Sequence, residues 1–160
     1  MKIGITGHQH LGSEATITWL WDVVDKLIHQ YHVDFGITSL AIGADQLFAE
    51  ILRKANIPYM AIIPSDDYET TFQNRNDLAH YQGLIRTAST QITLPFEKAN
   101  ETAFYEAGKQ VVQRSDMLFA IWDGLPAKGL GGTGDIVQYA LSNKKHIVHI
   151  NPITHKVNML

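Results

Sequence analysis

The segment GLGGTGDIVQYA, residues 129–140, sets four glycines, a threonine and an acid directly ahead of an apolar run with helical spacing. A glycine-rich turn feeding a helix aims unpaired backbone N–H groups and the positive end of the helix dipole at one spot, which is the chemistry of phosphate binding. Gly131, Gly132, Thr133, Gly134 and Asp135 are the residues such a cradle would use. Three readings are open for it: a phosphate cradle, the seat of a catalytic carboxylate, or a plain turn. A weaker version of the same device, IGAD (42–45), precedes QLFAEIL and offers Gly43, Ala44 and Asp45. Asp45 is there either as a ligand contact or as the N-cap of the following helix. The loop TGHQHLG (6–12) adds Gly7 and, beside the glycine turn, His8. Asp123 follows the apolar run DMLFAIW, where a carboxylate is costly to bury without partners. Binding ribose hydroxyls, orienting another group or capping the next loop would each account for it.

Other chemistries lose support on residue type and spacing. The chain has no cysteine, which removes disulfides, thiolate metal sites and a cysteine nucleophile. His8 and His10 form an H-x-H pair without a third ligand at motif spacing, so they read as hydrogen-bonding loop residues and no metal is expected. TGHQHLG fails the G-x-G-x-x-G spacing of a dinucleotide fingerprint, and no Walker A lysine pattern occurs, so no bound cofactor is expected. His146 and His149 fall on opposite faces of a strand pattern and read as structural. Trp19 and Trp21 read as helix packing, and Trp122 as either pocket lining or core.

The elements that must position these residues alternate strand and helix. Strands are expected at 2–6, 37–42, 59–63, 91–94 and 116–122, with 146–150 as the last. Helices are expected over 13–31, 45–55, a stretch ending near 87, 100–114 and 135–143. Ser13 is placed to cap the first helix, and Pro58 stops the second. Strands rich in Val, Ile and Leu and separated by helices predict a mainly parallel sheet covered on both faces. The fold class is α/β, one doubly wound Rossmann-like domain over residues 1–160. Ligands in such a sheet bind beyond the carboxyl ends of the strands, and there lie TGHQHLG, GADQ, PSDDY, PFEKANE and WDGLPAKGLGGTGD. The opposite strand ends carry far less chemistry.

The 160 residues are 45% hydrophobic and 18% charged, as in an ordinary soluble domain. A net charge of −3 gives no electrostatic reason to expect nucleic acid as partner. MKIGIT runs straight into a strand pattern, with neither a signal-peptide core nor a membrane-length apolar run, so a cytoplasmic location without membrane contact is expected.

With GADQLFAE, IIPSDDYETTF and SDMLFAIWDGLPAKGLGGTGDIVQYA together, the chain resembles the SLOG superfamily over essentially its whole length, nearest to a bacterial branch with a GGTxD loop. That group includes Smf/DprA-type DNA-processing proteins, the Lonely Guy phosphoribohydrolases and ADP-ribose-sensing domains of TRPM channels. The resemblance implies a Rossmann-like fold handling a nucleotide or nucleotide-derived ligand, its phosphate at the loop before the last helix, in a chain that forms a homo-oligomer. The block is also similar to nucleoside 2-deoxyribosyltransferases. In that pattern Gly132 and Thr133 match, but the nucleophilic glutamate falls at or beside Ile136. In the Lonely Guy pattern Gly131, Gly132 and Gly134 match, Asp135 replaces the threonine and Gln138 the glutamate. A one-residue shift turns a helical side chain by about 100 degrees, so Asp135 is no simple substitute. Binding is therefore expected over catalysis. The alternative is hydrolysis of a nucleoside monophosphate N-glycosidic bond by Asp123, Asp135, Glu97 or Glu101, with His8 as proton donor.

Overall fold

The computed structural model describes residues 1–160. Apolar runs form the strands β1 (Lys2–Gly7), β2 (Phe35–Thr38), β3 (Tyr59–Ile63), β4 (Thr90–Thr93), β5 (Met117–Ile121), β6 (His146–Asn151) and β7 (Lys156–Met159). The helices are α1 (Glu14–Gln30), α2 (Ala44–Lys54), α3 (Arg75–Thr87), α4 (Glu101–Arg114) and α5 (Thr133–Ser142). Three of them start on a side-chain cap: Ser13 accepts from the Thr16 N–H, Asn74 from Asp77 and Asn100 from Ala103. Such a cap contributes about 1 kcal/mol.

The seven strands form one sheet in the order β4-β3-β2-β1-β5-β6-β7, parallel except for β7. The chain steps outward from β1 to β4, returns to lay β5 against the free edge of β1, and steps outward the other way. Strand order therefore reverses between β1 and β5, where a crevice opens beyond the carboxyl ends. Register carries both strands to the same level, with Ile5 beside Phe119 and Gly7 beside Ile121.

One face of the sheet carries α1, α2 and α3 over a core that includes Leu20, Val24, Phe48, Leu52, Tyr81 and Leu84. The other carries α4 and α5 over Ala107, Val111, Ile136, Val137 and Ala140. Every residue of β5 is buried, as a strand covered on both faces demands. This is the doubly wound α/β architecture expected from the sequence.

Two expectations are corrected. The second strand is not 37–42 but Phe35–Thr38: the chain leaves the sheet after Thr38, and Leu40, at φ 57, turns its side chain wholly into the core. The apolar letters of SLAI thus fill core space from a loop. The strand at 146–150 is not the last, because β7 returns antiparallel along β6. No helix is long and apolar enough to cross a membrane.

Candidate functional site

A cavity of about 910 Å³ opens at the reversal point, along the carboxyl ends of β1, β2 and β5. Its walls come from the loop after β1, the loop between β2 and α2, the segment after β3, one face of α4 and the whole β5–α5 loop.

At the start of α5 each glycine has a packing reason. Gly131, at φ +84, lies against α4, where an added Cβ would come within 2.8 Å of the Tyr105 nitrogen. A Cβ on Gly134 would lie 2.7 Å from the Ala127 nitrogen, and one on Gly132 2.9 Å from the Ala127 Cβ. The glycines thus let residues 125–127 and α4 close around the helix start. Asp135 turns back into this loop and accepts the Gly131 N–H at 3.0 Å. The N–H groups of Thr133 and Gly134 have no protein acceptor, and both residues line the cavity. Lys128, the single Lys or Arg of the wall, sits in the same loop.

At the start of α2 the arrangement differs. Gly43, at φ +93, is squeezed against the β1 loop, where a Cβ would come within 2.4 Å of the His8 and Gln9 carbonyl oxygens. The Ala44 N–H donates to the His8 carbonyl at 3.1 Å, and Ala44 is fully buried. Gly43, not Asp45, holds the N-cap position. Asp45, 7% exposed, reaches back so that one carboxylate oxygen accepts the Ser39 and Ala41 N–H groups at 3.1 and 3.4 Å. Burial pushes its carboxyl up to about 7, against the lowering effect of those bonds and of Thr38.

Between the two helix starts sit His8 and Asp123. The Asp123 N–H donates to His8 Nε2 at 3.0 Å, which requires the lone pair there and so a neutral ring with its proton on Nδ1. The Asp123 carboxylate lies 3.3 Å from the same nitrogen and accepts the Leu125 N–H at 2.9 Å. Burial raises the Asp123 carboxyl, but the Leu125 bond, together with the positive charge of His8 whenever its ring is protonated, outweighs it and holds it below the usual range. Trp122 anchors the loop from below: its indole donates to the Leu125 carbonyl at 2.8 Å, and its own carbonyl accepts from His149 Nε2 at 2.8 Å. Both residues therefore hold the loop that carries Asp123.

The structure brings Gly7, His8, Asp45, Asp123, Gly131, Gly132, Thr133 and Gly134 onto one cavity wall. Gly43, Ala44 and Asp135 lie behind it, engaged with neighbouring backbone. Glu101 stays on the exposed first turn of α4, against Gly129, and Glu97 is exposed on its loop. Ile136, at the position of the transferase nucleophile, is buried against Gly108 of α4. His10 lines the wall, and no group of three His, Asp or Glu side chains is placed to hold a metal. Sequence reasoning missed Ser39, Tyr68, Phe72, Phe104 and Leu125. PSDDY marked the loop of Tyr68, but nothing in the spacing marked the cavity-facing side of α4.

No family model and no curated protein matches the chain. Among solved structures the fold recurs in DNA processing protein A (DprA) of Streptococcus pneumoniae, at TM-score 0.68 and 12% identity over 92% of this chain and 49% of that one. It recurs in DprA of Helicobacter pylori, described for its single-stranded DNA binding mode, at 0.66 and 16% over 93% and 64%. The molybdenum cofactor binding protein of the phototrophic bacterium Rippkaea orientalis matches at 0.61 and 19% over 94% and 76%. The chain thus spans 49% of one DprA chain and 64% of the other. With DNA-processing proteins among its neighbours, the fold lends no support to the expectation that nucleic acid is disfavoured. The chain thus shares the Rossmann-like fold of the DprA proteins and of the molybdenum cofactor binding protein.

Proposed function

We propose that the protein binds a nucleotide or nucleotide-derived small molecule in the switch-point cavity, with a phosphate at the start of α5. One observation carries this reading. The Thr133 and Gly134 N–H groups lack protein acceptors, stand at the positive end of a helix, and border a cavity of about 910 Å³. A cavity of that size suits a small organic ligand, and the apolar residues Ile42, Phe72, Phe104 and Val111 along it suit a heterocycle. The molybdenum cofactor binding protein of the same fold supports a ligand-holding role. The DprA neighbours make single-stranded DNA the chief competitor. A single wall lysine fits one phosphate better than a phosphate ladder. A thermal-shift panel of AMP, dCMP, ADP-ribose, NAD, cyclic nucleotides, molybdenum cofactor and an oligothymidylate tests it. A rise in melting temperature with a nucleotide at millimolar levels is expected. No rise with any nucleotide overturns the reading.

A second reading, N-glycosidic hydrolysis, rests on Asp123 and His8. Their reactive atoms lie 3.3 Å apart on the wall shared by this cavity and a smaller one of about 520 Å³. An ionised Asp123 would take a proton from the attacking water. His8, protonated only when it gives up the Asp123 N–H, would pass a proton to the departing base. Against it, Asp135 is engaged with Gly131, and Ile136 leaves no acid in the nucleophile position. Release of free base, abolished in Asp123→Asn, would establish hydrolysis over binding.

A further inference from the structure

We infer that Asp45 is the residue that selects the ligand's heterocycle, taking a hydrogen bond from an exocyclic amine. The inference rests on the nucleotide reading above and assigns the far end of the same cavity. Strands β2 and β5 stand two spacings apart in the order β2-β1-β5, about 10 Å, and the β2–α2 loop and the α5 start that follow them line the same cavity. A nucleoside monophosphate bridges such a span with its phosphate at one end and its base edge at the other.

Asp45 is held for this role by its own loop. Oδ2 accepts both the Ser39 and Ala41 N–H groups, which fixes the carboxyl plane. Oδ1 accepts no hydrogen bond within the protein, and the Thr38 hydroxyl stands beside the carboxyl group. No buried polar side-chain atom of the molecule lacks a partner, so Oδ1 opens on the cavity that Asp45 lines. No Lys or Arg stands at this end, and the adjacent ring is that of buried Tyr68. A desolvated carboxylate without a cation draws a donor from the ligand. An amine, projecting farthest from a heterocycle, supplies one, whereas an oxo group there meets the lone pairs of Oδ1.

The same loop dictates what a substitution does. In Asp45→Asn the Ser39 and Ala41 N–H groups still need an acceptor, so the amide oxygen takes the Oδ2 place and the NH₂ faces the cavity. The preference then inverts towards oxo bases.

Isothermal titration of the full chain at pH 8.5 with the pairs AMP/IMP and CMP/UMP tests this. The wild-type protein is expected to bind the amino member of the better-bound pair about tenfold tighter, and Asp45→Asn to reverse that order. A second measurement uses wild-type protein alone. Between pH 8.5 and 6 the amino-to-oxo ratio should fall as Oδ1 takes a proton, while effects of His8, His10 and the phosphate, common to both ligands, cancel. A ratio that is the same in both proteins and at both pH values overturns the assignment while leaving nucleotide binding intact. Absence of binding by all four overturns the nucleotide reading and this assignment with it.

Discussion

The starts of α2 and α5 are alike as strings, GAD and GGTGD, yet the structure uses them in opposite senses. At α2 the Ala44 N–H is engaged by the His8 carbonyl, while Asp45, whose own N–H has no protein acceptor, adds its carboxylate to the cavity wall. At α5 the acid is engaged, Asp135 on the Gly131 N–H, and the free polar atoms are the N–H groups of Thr133 and Gly134. One helix start therefore brings a carboxylate to the cavity, and the other brings free N–H groups with its acid turned away. The difference comes from what packs outside each turn: the β1 loop delivers a carbonyl to the Ala44 N–H of α2, whereas residues 125–127 press on Gly132 and Gly134 without accepting from the first N–H groups of α5. A glycine-rich turn before a helix announces close backbone approach; whether a ligand or the protein makes that approach depends on the neighbouring loop.

The largest expected effect belongs to the acid at α2. Folding raises the Asp45 carboxyl from 3.8 to about 7, so between those pH values the folded chain keeps a proton that the unfolded chain has released. Its contribution to stability is full below pH 3.8 and declines as pH rises, levelling off above about 7. The total loss is roughly 4 kcal/mol at about 1.4 kcal/mol per unit. Urea unfolding from pH 4 to 8 should show that decline in wild type and its removal in Asp45→Asn, which should be the more stable protein at pH 8. Equal pH slopes in the two would show that Asp45 is not desolvated.

Gly43→Ala comes next. A Cβ at φ +93 and 2.4 Å from two carbonyl oxygens should cost about 3 kcal/mol, read as a lower urea midpoint. The equivalent change at α5, Gly132→Ala, meets the Ala127 methyl at 2.9 Å and the Gly129 carbonyl oxygen at 3.4 Å, at an ordinary φ of −67, and should cost about 1 kcal/mol. If the two cost the same, the contrast in packing is wrong. Smallest is Asp135→Ala, which leaves the Gly131 N–H without its acceptor. It should cost about 1 kcal/mol or less in stability, but weaken nucleotide affinity through the loosened loop. Asp135→Asn, keeping an acceptor oxygen, should restore most of both.

Most of the sheet was legible because strands buried on both faces leave long runs of Val, Ile and Leu, as in DMLFAIW, and because Ser13 and Asn100 sit at helix starts. What escaped has physical causes. KVNM is exposed at every residue of β7, so no burial pattern wrote itself into the sequence there. Leu40 is apolar because it fills the core from a left-handed turn, which mimics strand composition. For the candidate site, the sequence located the edge and most of the wall residues through the loops that follow strands. It could not tell which carboxylates turn inward, since that depends on carbonyls and N–H groups supplied from distant loops. For this reason Asp45 stayed open between ligand contact and N-cap, and the bond of Asp135 to the Gly131 N–H could not be foreseen.

The open N–H groups at α5 are best tested by ¹H–¹⁵N correlation spectra of the labelled full chain titrated with AMP and with adenosine. AMP should bind more tightly and shift the Thr133 and Gly134 amide resonances, with adenosine leaving these two nearly unmoved. Equal affinities for the two ligands, or AMP binding with both amides unshifted, would contradict a phosphate held at the start of α5.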